Sequence, residues 1–212
     1  MNIILTSVEE PLAEAWERFC GDLDFVTVHQ GSIFDVVCDA VVSPANSFGF
    51  MDGGIDLLYS QYLGWQVQDR LQDIIRDQHQ GELLVGAAEI VETDNTDFPF
   101  LIAAPTMRVP MILRDSVNPY LAARASLLLV RHGIFTTGTY SGEKIADYVE
   151  TIAFPGLGTG VGRIGPNTCA RQVREAIDSI LLGPCPFPQS WAEAQIQHQM
   201  LYTGSFRDLQ RE

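Results

Sequence analysis

Apolar residues recur along this chain in two periods, and the periods alternate. Residues 2–6 are a short apolar run that reads as a buried strand. Ser7-Val8-Glu9-Glu10 then has the pattern of a capping box, and Leu12, Ala15, Trp16 and Phe19 form one helical stripe that Gly21 ends. Phe25 to His29 and Ala40 to Ser43 read as strands, the second stopped by Pro44. From Ile55 through Leu58, Tyr59, Tyr62, Leu63, Val67, Leu71 and Ile74 to Ile75 the spacing predicts one long helix, with Gly81 as its terminator. Leu83 to Val91 and Phe98 to Ala104 read as two strands joined by the polar turn Thr93 to Asp97, an antiparallel hairpin.

The second half repeats the alternation. Asn118-Pro119 opens a helix carrying Leu121, Ala125, Leu128 and Leu129, which Gly133 closes. Residues 134–147 are rich in Gly, Thr and Ser and read as a surface connection, and Tyr148 to Phe154 reads as a strand. A helix follows with Val173, Ala176, Ile177, Ile180 and Leu181, closed by Gly183-Pro184. Ser190-Trp191-Ala192-Glu193, a second capping box, opens a terminal helix expected over 190–205 on the outside of the fold. Helices alternating with strands define an α/β chain whose mixed, largely parallel sheet lies between helical layers. Ligands of such sheets collect beyond the C-terminal strand ends.

Two loops leave strands at such ends and enter helices. The first runs from Ser43 to Asp56 and contains Gly49, Gly53 and Gly54. The second, Pro155 to Pro166, has glycine at 156, 158, 160, 162 and 165. Bare backbone N–H groups at a helix start, where the macrodipole is positive, suit phosphate. Two such loops at one sheet edge would clamp a diphosphate. The run Gly160-Val161-Gly162-Arg163-Ile164-Gly165 also fits G-x-G-x-x-G, a dinucleotide fingerprint. That reading requires a further parallel strand ending in an acidic residue, whereas this helix leads to Gly183-Pro184 and a terminal helix. P-loop spacing is present too, but Pro166-Asn167 stand where Lys and Ser/Thr are needed.

Composition narrows the chemistry. Hydrophobic residues make up 46% of 212, enough for a full core. The formal net charge of -14 repels polyanions, so bulk nucleic-acid binding is not expected, while short-ranged amide contacts still allow a small anion. No apolar run reaches membrane-spanning length, and Met1-Asn2-Ile3-Ile4-Leu5 lacks the basic start of a secretory signal, so a cytoplasmic protein is expected. Cys20, Cys38, Cys169 and Cys185 make no C-x-x-C pair and read as buried free thiols. His29, His79, His132 and His198 show no ligand spacing, so neither metal nor cofactor is expected.

Two segments together resemble the macrodomain family, which binds ADP-ribose. Asp39-Ala40-Val41-Val42-Ser43-Pro44-Ala45-Asn46 resembles its D-A-[IV]-V-N-[AP]-A-N segment, and Gly53-Gly54-Ile55-Asp56 its G-G-[VI]-D. Ile152 to Gly160 resembles its strand and diphosphate loop. The likeness covers about residues 25–182 and implies one macrodomain-like domain, a three-layer α/β/α sandwich, with the terminal helix as an extension. By position it assigns the diphosphate to the amides of Gly53, Gly54 and Ile55 and of Gly158, Thr159, Gly160, Val161 and Gly162. Ala45 and Asn46 fall by the distal ribose, and Asp56 orients water or ribose in the hydrolytic branch, so Asn46 and Asp56 are the catalytic candidates. Ser32 and Ile33 stand at the adenine end, where the family usually has Asp after Gly, with Asp35 as an alternative acceptor. Ile164 replaces an aromatic that stacks on the distal ribose, and Arg163 is either a contact beside the diphosphate or a solvated side chain.

The resemblance implies either a hydrolase, releasing ADP-ribose from a modified substrate or an ADP-ribose 1″-phosphate, or a reader that binds without turnover. It names no protein partner. The residues keep plainer readings of their own. Asp56 in a first helical turn stabilises the helix by about 0.3–1 kcal/mol without any chemistry. Asn46 suits a turn, Asp39 can cap loop amides, and Arg108 after Thr106-Met107 is either a phosphate contact or a solvated side chain.

Overall fold

The computed structural model describes residues 1–183 and 186–210. Its strands are β1 (Asn2–Ser7), β2 (Val26–Gln30), β3 (Ala40–Ser43), β4 (Glu89–Glu92), β5 (Phe100–Ala103) and β6 (Thr151–Phe154). They form one six-stranded sheet in the order β2-β1-β6-β3-β5-β4. Every pairing is parallel except β4 with β5, the hairpin expected from the polar turn.

Both faces of this sheet are apolar, and alternation sorts each strand between them. Ile3, Leu5, Ala40, Val42, Phe100, Ile102, Ile152 and Phe154 point to one face. There they meet α1 (Glu10–Cys20), α4 (Asn118–His132) and α5 (Pro166–Ile177). Val41, Leu101, Ala103 and Ala153 point to the other, under α2 (Gly54–Leu63) and α3 (Gln66–Gln78). The result is a three-layer α/β/α sandwich. A terminal helix, α6 (Trp191–Met200), follows, and no helix is long and apolar enough to cross a membrane among the described residues.

Several boundaries differ from the sequence reading for identifiable reasons. The long helix from Ile55 is two helices. Gly64 takes φ +96°, ends α2 with its N–H on the Ser60 carbonyl, and lets α3 restart after Trp65. The 3.6 period ran through the break because both helices bury the same face. At Ser7 the hydroxyl makes a tight turn with the Glu9 backbone, accepting its N–H at 3.0 Å, so Glu9 and not Ser7 precedes α1. Strand β4 starts at Glu89, because Gly86 at φ +97° turns the chain after the buried Leu83. Strand β6 starts at Thr151, where Asp39 takes the N–H groups of Glu150 and Thr151 at 2.9 and 2.8 Å. That is the loop-capping role read for Asp39.

At the other capping box Ser190 does accept the Glu193 N–H at 3.1 Å. Helix α6 stops at Met200, short of 205, and the chain folds back: the buried Gln199 side chain holds both the N–H and the carbonyl of Arg207 at 2.9 Å. Pro184, read as part of a helix stop, and Cys185, read as a buried thiol, lie outside the described residues.

Candidate functional site

The C-terminal ends of β1, β2, β3, β5 and β6 open onto one cavity of about 440 Å³. Sheet order arranges its walls. Thr6 and Ser7 at the end of β1, with Val8, Glu9 and Leu12 beyond it, and Gly31 to Phe34 after β2 stand at one end. The loop after β6, with Pro155, Gly156 and residues 158–162, stands in the middle. Pro44, Ala45, Asn46, Phe50 and residues 52–56 after β3, with Thr106, Met107 and Pro110 after β5, close the other end. Both Gly-rich loops therefore serve one crevice.

The amides expected to hold phosphate are uncommitted. The N–H groups of Gly53, Gly54 and Ile55 and of residues 158–162 donate to no protein acceptor among the described residues. Among the described residues, no Lys, Arg or His side chain lines the cavity. Gly158 and Gly162 are buried and Ile55 and Thr159 part-buried, where an amide without a partner is costly, while Gly53, Gly54, Gly160 and Val161 are exposed; together the rows offer donors to an acceptor from outside the chain.

The glycines of the second loop divide by purpose. A Cβ on Gly162 would lie 2.5 Å from the Gly158 carbonyl oxygen, so the loop itself demands glycine there. A Cβ on Gly160 would meet nothing within 4 Å; that position faces open space on the cavity side. Arg163 and Ile164 do not line the cavity. Their N–H groups close the loop on Gly160 and Gly158, each at 3.0 Å, and the Ile164 side chain packs into the core. Arg163 is an exposed residue at φ +56°.

Asn46 lines the cavity, but its carboxamide is engaged with its own loop. Oδ1 accepts the N–H groups of Phe48 and Phe50 at 3.1 and 3.3 Å, and Nδ2 donates to the Phe50 carbonyl at 2.8 Å. One amide hydrogen is left for a ligand. Asp56 is 8% exposed and lines the cavity. Its Oδ1 accepts the Ser43 hydroxyl at 2.6 Å. Burial pushes its pKa up to about 6, against the Ser43 bond, which lowers it.

At the β2 end Ser32 and Ile33 line the cavity as expected, yet the Ser32 hydroxyl already caps a single helical turn, Ile33–Asp35, by accepting the Phe34 N–H at 3.2 Å. Asp35 completes that cap by accepting the Ser32 N–H at 3.2 Å and does not line the cavity. Phe34 does, with its ring stacked on Tyr62 at 4.7 Å. Arg108 stays outside, paired with Glu82 at 2.7 Å and lying 5.1 Å over the Phe48 ring. Burial lifts the thiols of Cys20, Cys38 and Cys169 to about 12, which leaves them unreactive at neutral pH.

Sequence reasoning missed several walls: Val8, Glu9, Phe50, Leu58 and Pro110. Four of them lie on loops leaving strand ends, and Leu58 lies in α2, where it reads only as part of the helical stripe. It also missed a strap. Residues 106–113 cross from one Gly-rich loop to the other, bridged to Asn46 through Met107 and to Gly162 through the Leu113 N–H at 2.9 Å. The strap is pinned below by Asn118, whose Nδ2 donates to the Thr106 carbonyl at 2.7 Å.

Known proteins agree with this architecture. The sequence model of the Macro domain family matches residues 42–173, from inside β3 to within α5 and more than half of the chain. The chain belongs to the macro domain family. An uncharacterized protein of Aquifex aeolicus (strain VF5) is 29% identical over 152 residues, 72% of this chain and 80% of its own length. An uncharacterized protein of Aeropyrum pernix is 29% identical over 161 residues, 76% of this chain and 74% of its own. Among solved structures, the macrodomain of Mycobacterium tuberculosis DarG aligns with a TM-score of 0.57 at 18% identity, over 72% of this chain and 90% of its own. Thermosipho africanus DarTG in complex with ADP-ribose aligns with a TM-score of 0.54 at 15% identity, over 81% of this chain and 44% of that one. At such identities the structural likeness speaks for the fold.

Proposed function

We propose that the cavity binds ADP-ribose or an ADP-ribosyl group. The observation that carries this reading is the pair of uncommitted amide rows, residues 53–55 and 158–162, on one crevice with no cationic side chain lining it among the described residues. A pyrophosphate supplies acceptors to both rows at once, and the start of α2 adds its dipole. Family membership and the ADP-ribose held by Thermosipho africanus DarTG support the same ligand. A dinucleotide site of the doubly wound type finds no support: β6 precedes the G-x-G-x-x-G run, and α5 leads to no further strand among the described residues.

Turnover is the second part of the proposal. The distal ribose lies toward Asn46 and Asp56 at the β3 end, and a bond at its anomeric carbon is broken by water through an oxocarbenium-like transition state. Asp56 keeps one oxygen without a protein donor among the described residues, and burial pushes its pKa up to about 6, which suits a group that orients and deprotonates water. Asn46 shapes the loop around the sugar and offers its remaining N–H to a ribose hydroxyl. Reading without turnover is the competing outcome, favoured by the triple commitment of the Asn46 amide to its loop.

Calorimetry with ADP-ribose, NAD, ADP and ATP tests the ligand: ADP-ribose should bind with the highest affinity, and no heat or thermal shift with any of the four overturns the proposal. Incubation with mono-ADP-ribosylated protein and with ADP-ribose 1″-phosphate tests turnover. Release of free ADP-ribose that Asp56→Ala abolishes while binding persists establishes the hydrolase. Binding with no release on either substrate leaves a reader.

A further inference from the structure

We infer that Ser43 is a positioning residue of this site: its hydroxyl locks one oxygen of the Asp56 carboxylate into the fold and leaves the other for the cavity. The inference deepens the ADP-ribosyl reading and rests on it for its functional meaning.

Ser43 ends β3 after Ala40-Val41-Val42, and all four residues are fully buried. A hydroxyl at the end of an apolar, solvent-free strand is unfavourable unless it finds a partner. Its partner is Asp56, thirteen residues on in the first turn of α2, at 2.6 Å. An ionised carboxylate only accepts, so the serine donates, and the short bond is charge-assisted. The neighbouring hydroxyls are taken. Tyr59 donates to the Val42 carbonyl at 3.1 Å, and Ser60 donates to the Met51 carbonyl at 2.8 Å. Among the described residues Ser43 is therefore the sole side-chain donor to Asp56.

Among the described residues, the other titratable groups around Asp56 carry no positive charge. Tyr59 is the titratable neighbour on α2, Cys38 lies beyond it before β3, and Glu9 and Asp52 are the other ionisable residues lining the cavity. None of these is a cation, so none favours the charged carboxylate. Among the side chains of the described residues, the Ser43 hydroxyl alone donates to this carboxylate, and it opposes the larger effect of burial on its ionisation.

The test is a carbon-detected NMR titration of the Asp56 carboxyl in the wild type and in Ser43→Ala, Ser43→Cys and Ser43→Thr, with ADP-ribose affinity measured across the same pH range. Removing the donor should move the Asp56 midpoint upward by about one pH unit, a tenfold change in proton affinity. Ser43→Cys, a weaker donor, should move it part of the way, and Ser43→Thr should restore it. The ADP-ribose pH profile should shift in step with each. An Asp56 midpoint that stays put in Ser43→Ala, or moves equally in Ser43→Thr, overturns the inference. Should Ser43→Ala fail to fold, the Cys and Thr variants decide it. A wild type that titrates as expected yet binds no ADP-ribose would instead sink the reading of the cavity and leave the Ser43–Asp56 pair standing.

Discussion

The two Gly-rich loops reach the same crevice by opposite means. The loop after β3 is held by side chains. Asn46 ties down Phe48 and Phe50, Gln68 accepts the Met51 N–H at 2.8 Å, and Gln72 donates to the Phe48 carbonyl at 3.3 Å. The loop after β6 is held by its own backbone, through the N–H groups of Arg163 and Ile164 on Gly160 and Gly158, and by Gly162, where a Cβ would lie 2.5 Å from the Gly158 carbonyl oxygen. A side-chain scaffold can be loosened one amide at a time. A backbone scaffold fails as a unit, because each close approach supports the next.

That contrast sets the order of expected effects. Gly162→Ala should be the most damaging change, since its methyl group would enter the Gly158 carbonyl at 2.5 Å. A loss of about 1–3 kcal/mol of stability and about 100-fold in ADP-ribose affinity is expected, measured by thermal melts and calorimetry. Unchanged affinity would show that the second loop tolerates rebuilding and would erase the contrast.

Asp56→Asn should come next and act in the other direction. Burial raises the Asp56 pKa to about 6, above its unfolded value. Its contribution to stability is then fully present below about pH 4 and is lost as pH rises through about 6, where the buried group must ionise. The neutral amide should therefore gain up to about 2 kcal/mol at pH 8 relative to the wild type, a gain that vanishes near pH 4 in denaturant titrations. A pH-independent difference would remove the buried charge from the account.

Asn46→Ala should cost about 1–2 kcal/mol and about tenfold in affinity, with faster amide exchange in residues 46–51 and none in 156–164. Exchange that quickens in both loops would mean that they are one unit and not two. Arg163→Ala should be the smallest effect, within about 0.5 kcal/mol and twofold in affinity, since the residue is exposed and does not line the crevice. A large affinity loss would bring that side chain back to the ligand.

The same contrast explains what could be read from the chain. Glycine at every second position announces a backbone loop, so residues 156–165 were legible as a Gly-rich turn at a strand end, as was the buried strand Ala40 to Ser43. Side-chain scaffolds are silent in sequence. Nothing local shows that the Asn46 amide is taken by its own loop, that Ser32 spends its hydroxyl on a cap, or that Ser43 meets Asp56. Ile164 misled because a residue next to a ligand loop and one packed beneath it look alike until the loop closes. The break at Gly64 was hidden by the shared buried face of α2 and α3, and the strap by its lack of any periodic pattern.

The strap of residues 106–113 is anchored to Asn46 at one margin and to Gly162 at the other, which makes the width of the crevice a property of the polypeptide and not of its occupant. An arriving pyrophosphate would meet amides already set at their working separation, with little ordering left to do. Lengthening the crossbar by a single residue would turn a fixed aperture into an adjustable one, and selectivity between one phosphate and two would fade with it.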